Sequence, residues 1–380
     1  MNIELDLKDQ AWAAAAVETV RRIATDFREE IRACERNGRF PAEAFAEMGQ
    51  QGLIGVITPV EFGGYGGDAP EYCLTTEAMA RYNLVSSQIQ IQGQRWLVDW
   101  GTPEQKARYL PGLISGSLIF SESISERTAA SSLKALKSTA RRDGGDWIIN
   151  GEKIHINLGK ESHVTLVYAM AEEGLTAFLV DTDLAGVRRA HSNPLGGRLL
   201  PTADMEFDNV RIPASAVLGE PGQGLATFLS TFNVSRLGNA SELLGAAQRA
   251  LSDATDYARE RQVGTNRVTD FQGIQWLIAD GYSQLYAASL VRDRAANLVA
   301  AGKEHAFEAS LAKKVAIEAA EKVINDVFSL VGGHGLYHDQ PYGQILFDIK
   351  TLRVGGGSLE VLRNYVSQQI LRSDVLKGLK

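Results

Sequence analysis

The texture of this chain changes twice along its length, and that order constrains the fold more than any single motif. Residues 9–50 carry apolar positions at helical spacing, as in Val20, Ile23, Phe27 and Ile31. Pro41 suits the first turn of a further helix closed by Gly52. The glycine- and proline-rich stretch 58–70 is a loop, and helical patterns resume from Glu71 to about Tyr109. Between Ser117 and Val217 the runs become short and rich in Val, Ile, Phe, Tyr and Thr: LIFSES, WIINGEKIHIN, VTLVYAMA, LTAFLVD, ADMEFDNVRI. Asp143-Gly144-Gly145 and Asn150-Gly151 read as the turns that separate them, the mark of an antiparallel β-domain. After Pro221-Gly222-Gln223-Gly224 the pattern is helical again, with amphipathic stretches at 225–262, 270–302 and 304–331, lengths that suit a bundle.

A chain of 380 residues exceeds the roughly 250–300 at which single cores stop growing, so the three textures are expected to be three units. The expectation is an α+β chain: an N-terminal helical domain (1–116), a central antiparallel β-barrel-like domain (117–220) and a C-terminal helix bundle (221–380). The net charge of -7 gives no electrostatic reason to expect nucleic acid or an anionic membrane as partner. Two cysteines, Cys34 and Cys73, cannot make a disulfide framework, and the histidines show no metal-ligand spacing. With a charged N-terminal stretch and no long apolar run, a cytoplasmic protein is expected.

Seven short segments, in order, resemble the acyl-CoA dehydrogenase superfamily. They are Gly52-Leu53-Ile54-Gly55 with Pro59–Gly64; Ser125–Leu133; Asn150–Asn157; Phe207–Pro213; Arg259-Glu260-Arg261 with Asp270-Phe271-Gln272; Gly332-Gly333-His334-Gly335; and Gly357-Ser358-Leu359-Glu360. The resemblance covers nearly the whole chain. It implies FAD held between the β-domain and the C-terminal helices and reaching a neighbouring subunit of a homotetramer or homodimer. It also implies a substrate that is a thioester of CoA or of an acyl carrier protein. Residue by residue, it implies cofactor contacts from Ser125, His155, Asn157, Arg261, Gln272, Gly332, Gly333, Ser358 and Glu360. Ser131, Asn233 and Arg236 are implied on the substrate. In the family a glutamate takes the α-proton while the flavin accepts the hydride.

The sequence departs from the family at that glutamate. Gly356 occupies its place, and the alternative place on a bundle helix, just before Arg236, holds Ser235. Neither residue can accept a proton from carbon unaided. Glu242, two helical turns beyond Ser235, reads as too far away. His155 stands where the family has a Trp, Asn157 where it has a Thr, and Gly264 and Ser329 where it has Phe and Gln. Outside the motifs, His155 would be an ordinary half-buried strand residue, Arg261 a solvated helix charge and Arg236 a bundle ion-pair partner. Two readings follow. One is an FAD-binding acyl-thioester oxidoreductase that draws its base from elsewhere or runs chemistry without α-proton abstraction, such as desulfination. The other is a non-catalytic subunit of a mixed tetramer. A desulfinase would need a cation for its sulfinate, and the strip Ser86-Ser87-Gln88-Ile89-Gln90, expected to border the acyl pocket, offers none.

Overall fold

Three helix starts in the N-terminal third are set by side chains that satisfy free backbone N–H groups. A computed structural model of the protein describes residues 4–129 and 133–373. Asp9 accepts from the N–H groups of Ala11 and Trp12 to start α1 (Gln10–Asp26). Helix α2 (Arg28–Asn37) closes on left-handed Gly38, and α3 (Ala42–Gln50) follows Pro41. Capping boxes, Asp68 with Glu71 and Thr102 with Gln105, open α4 (Ala69–Arg81) and α6 (Pro103–Ser115); α5 (Gln88–Trp100) lies between them. The expected helical stretch from Glu71 is thus three helices, and the last runs past Tyr109 to Ser115 despite Pro111.

The sheet comprises β1 (Phe120–Ser123), β2 (Thr139–Asp143), β3 (Asp146–Asn157), β4 (Val164–Ala171), β5 (Gly174–Asp181), β6 (Val187–His191) and β7 (Thr202–Pro213). Its order is β1-β4-β2-β3-β7-β6, with β5 on the other edge of β4. The expected antiparallel pairing holds for β2–β3, β3–β7, β4–β5 and β6–β7. Strands β1 and β2 instead both lie parallel to β4 and share one of its edges. Asn150-Gly151 is no turn: it lies inside β3, where the register against β7 shifts. A Cβ at Gly151 would run into the Ser138 side chain, so glycine is required at this bulge.

The C-terminal third contains α7 (Gly224–Ser230), α8 (Phe232–Glu260), a two-strand ribbon of β8 (Gln262–Val263) and β9 (Asn266–Arg267), then α9 (Gln272–Ala300), α10 (Ala306–Val331), α11 (Tyr342–Val354) and α12 (Leu359–Arg372). Leu243, Leu244 and Ala247 of α8, Leu285 of α9, and Ala316, Ala320 and Val323 of α10 form its core. Among the described residues, no helix is long and apolar enough to cross a membrane.

Helix α4 joins the N-terminal helices to the bundle by lying directly on α8. Gly238 and Gly245 make this approach possible: a Cβ on the first would strike the Tyr72 hydroxyl, and on the second the Glu77 carbonyl. Fully buried Arg292 of α9 locks the contact. It donates to Glu77 on α4 (2.8 Å), to Ser241 on α8 (2.9 Å) and to its neighbour Asp293 (2.6 Å). Replacing one partner strands a buried charge, which costs about 3–5 kcal/mol. Arg292→Met should therefore lower unfolding stability by about that amount, read by urea denaturation.

Candidate active site

Helix α8 presents a polar stripe to a cavity of about 230 Å³ that lies between the bundle, the N-terminal helices and the sheet. Ser235, Asn239, Glu242 and Arg249 recur at i, i+4, i+7 and i+14, one face of a helix, and all four line it. Across from them stand Gln88 and Gln92 of α5, Glu122 of β1, Asn157 of β3 and Asp348 of α11. The turn between α11 and α12 contributes Gly355 and Gly356. Of the Ser86–Gln90 strip, Ser86, Gln88 and Ile89 line this cavity.

Glu242 stays two helical turns from Ser235, as expected, but on the same face. Helix α8 stays continuous, and two full turns return Glu242 to the face of Ser235, in the same cavity as Gly356. Gln88 donates to its carboxylate from α5. Burial pushes the Glu242 carboxyl up to about 7, opposed by hydrogen bonds from Ser86 and Gln88. Glu122 lacks such help. Its Oε1 has no hydrogen-bond partner, nor has the Tyr168 hydroxyl near it, and burial pushes Glu122 up to about 8. Asp348 accepts from the Gly197 N–H and Gln344 Nε2, both at 2.7 Å, yet burial still raises it to about 6.

Gly356 and Ser235 come together as the sequence implied. Gly356 has φ +63°, and a side chain there would collide with the Asn239 amide and bring Cβ within 3.3 Å of Lys313 Nζ. Lys313 donates to the carbonyls of Gly355 and Gly357 (3.0 Å for the latter), holding the turn from beneath. Burial and the nearby Arg236 charge pull Lys313 down to about 7. Arg236 donates to Asn233 Oδ1 (3.1 Å) and Ser310 Oγ (2.9 Å), and stacks over the Phe232 ring at 4.5 Å. Ser235 Oγ accepts from Gln92 at 3.0 Å.

On the sheet side, Asn157 lines the cavity, with His155 two residues before it in β3. The Ile154 N–H donates to the Ser125 carbonyl (2.8 Å), and Lys153 pairs with Glu126 (2.8 Å), which holds the Ser125 segment against β3. Among the described residues, the side chains of Ser125, His155 and Asn157 make no hydrogen bond within the chain. Free polar side chains on half-buried Ser125 and exposed His155 and Asn157, the last lining the cavity, fit a polar heteroaromatic cofactor such as FAD. Arg261, Gln272, Gly332 and Gly333 do not join them. They cluster at the other end of the bundle, where α8 and α10 end and α9 begins, and where Tyr257 stacks on His334 at 4.5 Å. That end is about 39 Å from Ser235 along α8. Ser358 accepts from the Val361 N–H as the cap of α12, and Glu360 is an exposed partner of Arg353 at 2.5 Å. Glu360 therefore faces Arg353 rather than the cavity. Ser131 lies outside the described residues.

Three family models match the chain: the acyl-CoA dehydrogenase N-terminal domain over residues 13–117, the middle domain over 121–210 and the C-terminal domain over 222–371. The chain belongs to the acyl-CoA dehydrogenase family. It is 32% identical over 376 residues to a 3-(aryl)acrylate reductase of Clostridium sporogenes, covering 95% of this chain and 98% of that one. It is 30% identical over 370 residues to the CarC subunit of the caffeyl-CoA reductase–Etf complex of Acetobacterium woodii, covering 93% and 97%. A glutaryl-coenzyme A dehydrogenase solved with glutaryl-CoA superposes with a TM-score of 0.90 at 27% identity, covering 97% of each chain.

A carboxyl that is ionised only above its raised pKa costs the folded state stability. Glu122 has a folded pKa of about 8 against a reference value of 4.5, so the folded state holds the extra proton between these values. Stability drawn from it falls as pH rises through that window. Glu122→Gln should melt higher than the parent at pH 8, with the gap closing as pH falls toward 4.5, read by thermal scans across pH.

Proposed function

We propose that this chain is an FAD-dependent acyl-thioester oxidoreductase in which Glu242 takes the part that a side chain at 356 cannot. The observation that carries this reading is the placement of Glu242 in the cavity shared by Gly356, Ser235 and Asn157. The donor set at Ser125, His155 and Asn157 would hold the flavin edge, and FAD supplies the two-electron chemistry when bound. The thioester, of CoA or of an acyl carrier protein, lies with its α-carbon in the cavity. Glu242 as carboxylate receives the α-proton when the acyl group is oxidised, and as carboxylic acid returns it when an enoyl group is reduced. Its value of about 7 leaves both forms populated at neutral pH. Gln88 and Ser86 orient it, and the α4–α8 contact closes one side of the cavity to water. The names of the two relatives fit the reductive direction; the glutaryl-CoA structure fits the oxidative one. Desulfination needs no proton acceptor, so a poised carboxylate in the cavity favours proton transfer.

Purified protein should release FAD on denaturation. Glu242→Gln should fold and keep its flavin but slow flavin reduction by a saturated acyl-CoA by roughly 10²–10⁴ in stopped flow. In the parent, that rate should rise with pH and level off above about 7, because the receiving form is the ionised one. Unchanged reduction in Glu242→Gln would remove Glu242 from this role. A colourless, correctly assembled protein would favour a non-catalytic subunit.

The far end of the bundle supports the assembly part of the reading. Phe271, Trp276, Tyr282 and Tyr286 on and before α9 are exposed, Trp276 at 60%, near Arg261 and Gln272, whose side chains make no hydrogen bond among the described residues. A second copy covering this apolar face would bring Arg261 and Gln272 to the neighbour's flavin. The protein should sediment as a dimer or larger, and Trp276→Lys should shift it toward monomer with loss of FAD.

A further inference from the structure

The cavity has a second polar end, away from Gly356. Gly356 lies against the Asn239 amide, and Asp348 stands beside Arg249, so α11 and α8 run in opposite directions along the cavity. Glu242 and Arg249 are seven residues apart, about 10 Å along α8. Ala80, Leu84, Val85, Leu199, Leu200 and Leu352 supply apolar walls. Arg249 lines the far end, with its Nε buried and without a partner. Among the described residues it makes no hydrogen bond and no ion pair within 4.0 Å; Glu35, Asp348 and Asp253 act on it only through space. Asp348 is engaged on one oxygen only. The Gly197 N–H and Gln344 both donate to Oδ1, and Oδ2 accepts no hydrogen bond among the described residues. Arg198, the other cation of the lining, is engaged on all three nitrogens, with Glu35 O (2.6 Å), Arg36 O (2.7 Å) and Asn193 Oδ1 (3.1 Å).

Two opposite charges, each with unused hydrogen-bonding capacity, thus border one cavity end without touching. Such groups are costly to bury unless something joins them. A hydroxyl does so: its oxygen accepts from Arg249 and its proton goes to Asp348 Oδ2. A carboxylate would satisfy Arg249 but meet Asp348 and Glu35 as like charges, and a methyl group would satisfy neither side. We infer that Arg249 and Asp348 form a hydroxyl-binding subsite at the far end of the acyl cavity, selecting medium-length acyl thioesters hydroxylated at the tail. The inference rests on the cavity being the acyl site, as proposed above, and names the class of acyl group it prefers. An extended chain advances about 3.5 Å every three bonds, so about eight carbons reach from an α-carbon at Glu242 to the subsite. Between the two polar ends the walls are apolar, so the selected chain is apolar except at its terminus.

8-Hydroxyoctanoyl-CoA, nonanoyl-CoA and the mono-CoA thioester of octanedioic acid share a length and differ at the tail: hydroxyl, methyl or carboxylate. Each is titrated into the oxidised holoenzyme under argon and read by calorimetry. The reacting carbons are the same in all three, so any heat of reaction is common to them. The hydroxy compound should bind at least about tenfold more tightly than nonanoyl-CoA, the order expected of hydrogen bonds to charged groups, and more tightly than the dioic thioester. Arg249→Met breaks no bond within the chain, so it should fold; it should bring the preference for hydroxyl over methyl close to one. Asp348→Asn keeps an acceptor for Gly197 and Gln344 and should cut the preference several-fold. Equal or tighter binding of nonanoyl-CoA by the parent overturns the subsite, as does a preference that survives in both variants. Tightest binding of the dioic thioester overturns the hydroxyl assignment and makes this end a carboxylate site. If none of the three binds, the acyl-thioester reading fails along with it.

Discussion

The close contact of α4 with α8 is the constraint on which the cavity depends. Two glycines bring the helices together, and the Arg292 guanidinium, held by Glu77, Asp293 and Ser241, fixes their register from within. With that contact set, Tyr72 meets Gln88, and Gln88 in turn meets Glu242. A neutral core of the same volume could be as stable. An ion network additionally fixes position, and every polar group on the cavity face of α8 inherits that precision.

Much of the fold was legible because its signals are local. The bundle helices at 272–300 and 306–331 lie within a few residues of the stretches read from periodicity alone, since a helix buried on one face must repeat its apolar positions. Asn150-Gly151 misled because a glycine bulge and a hairpin turn use the same residue types; only the partner strand distinguishes them. The parallel placement of β1 and β2 on β4 was hidden for a similar reason, since strand direction depends on a connection that carries no periodic signal.

The site was legible by halves. Gly356, Ser235 and Asn157 do share a cavity, and motif order sufficed to find them. Glu242 was set aside on its distance along the helix; its phase is a separate matter, since seven residues are far in length but near in angle. The signal was present as a polar stripe, Ser235, Asn239, Glu242 and Arg249, at helical spacing on one face of α8. Glu122 and Lys313 left fainter marks, an acid between two serines of a short strand and a lysine on the buried face of α10. What surrounds them depends on segments distant in sequence, and such neighbours are not written in local pattern.

The separation of about 39 Å between the two ends of α8 has a genetic consequence. If each copy completes its neighbour's flavin with Arg261 and Gln272 while keeping Glu242 for itself, every long helix belongs to two sites. A lesion at one end and a lesion at the other would then damage different sites. Subunits carrying one lesion each, allowed to mix, would regenerate some wholly intact centres, although neither parent has any. The reading frame would behave in a complementation cross as though it were two genes.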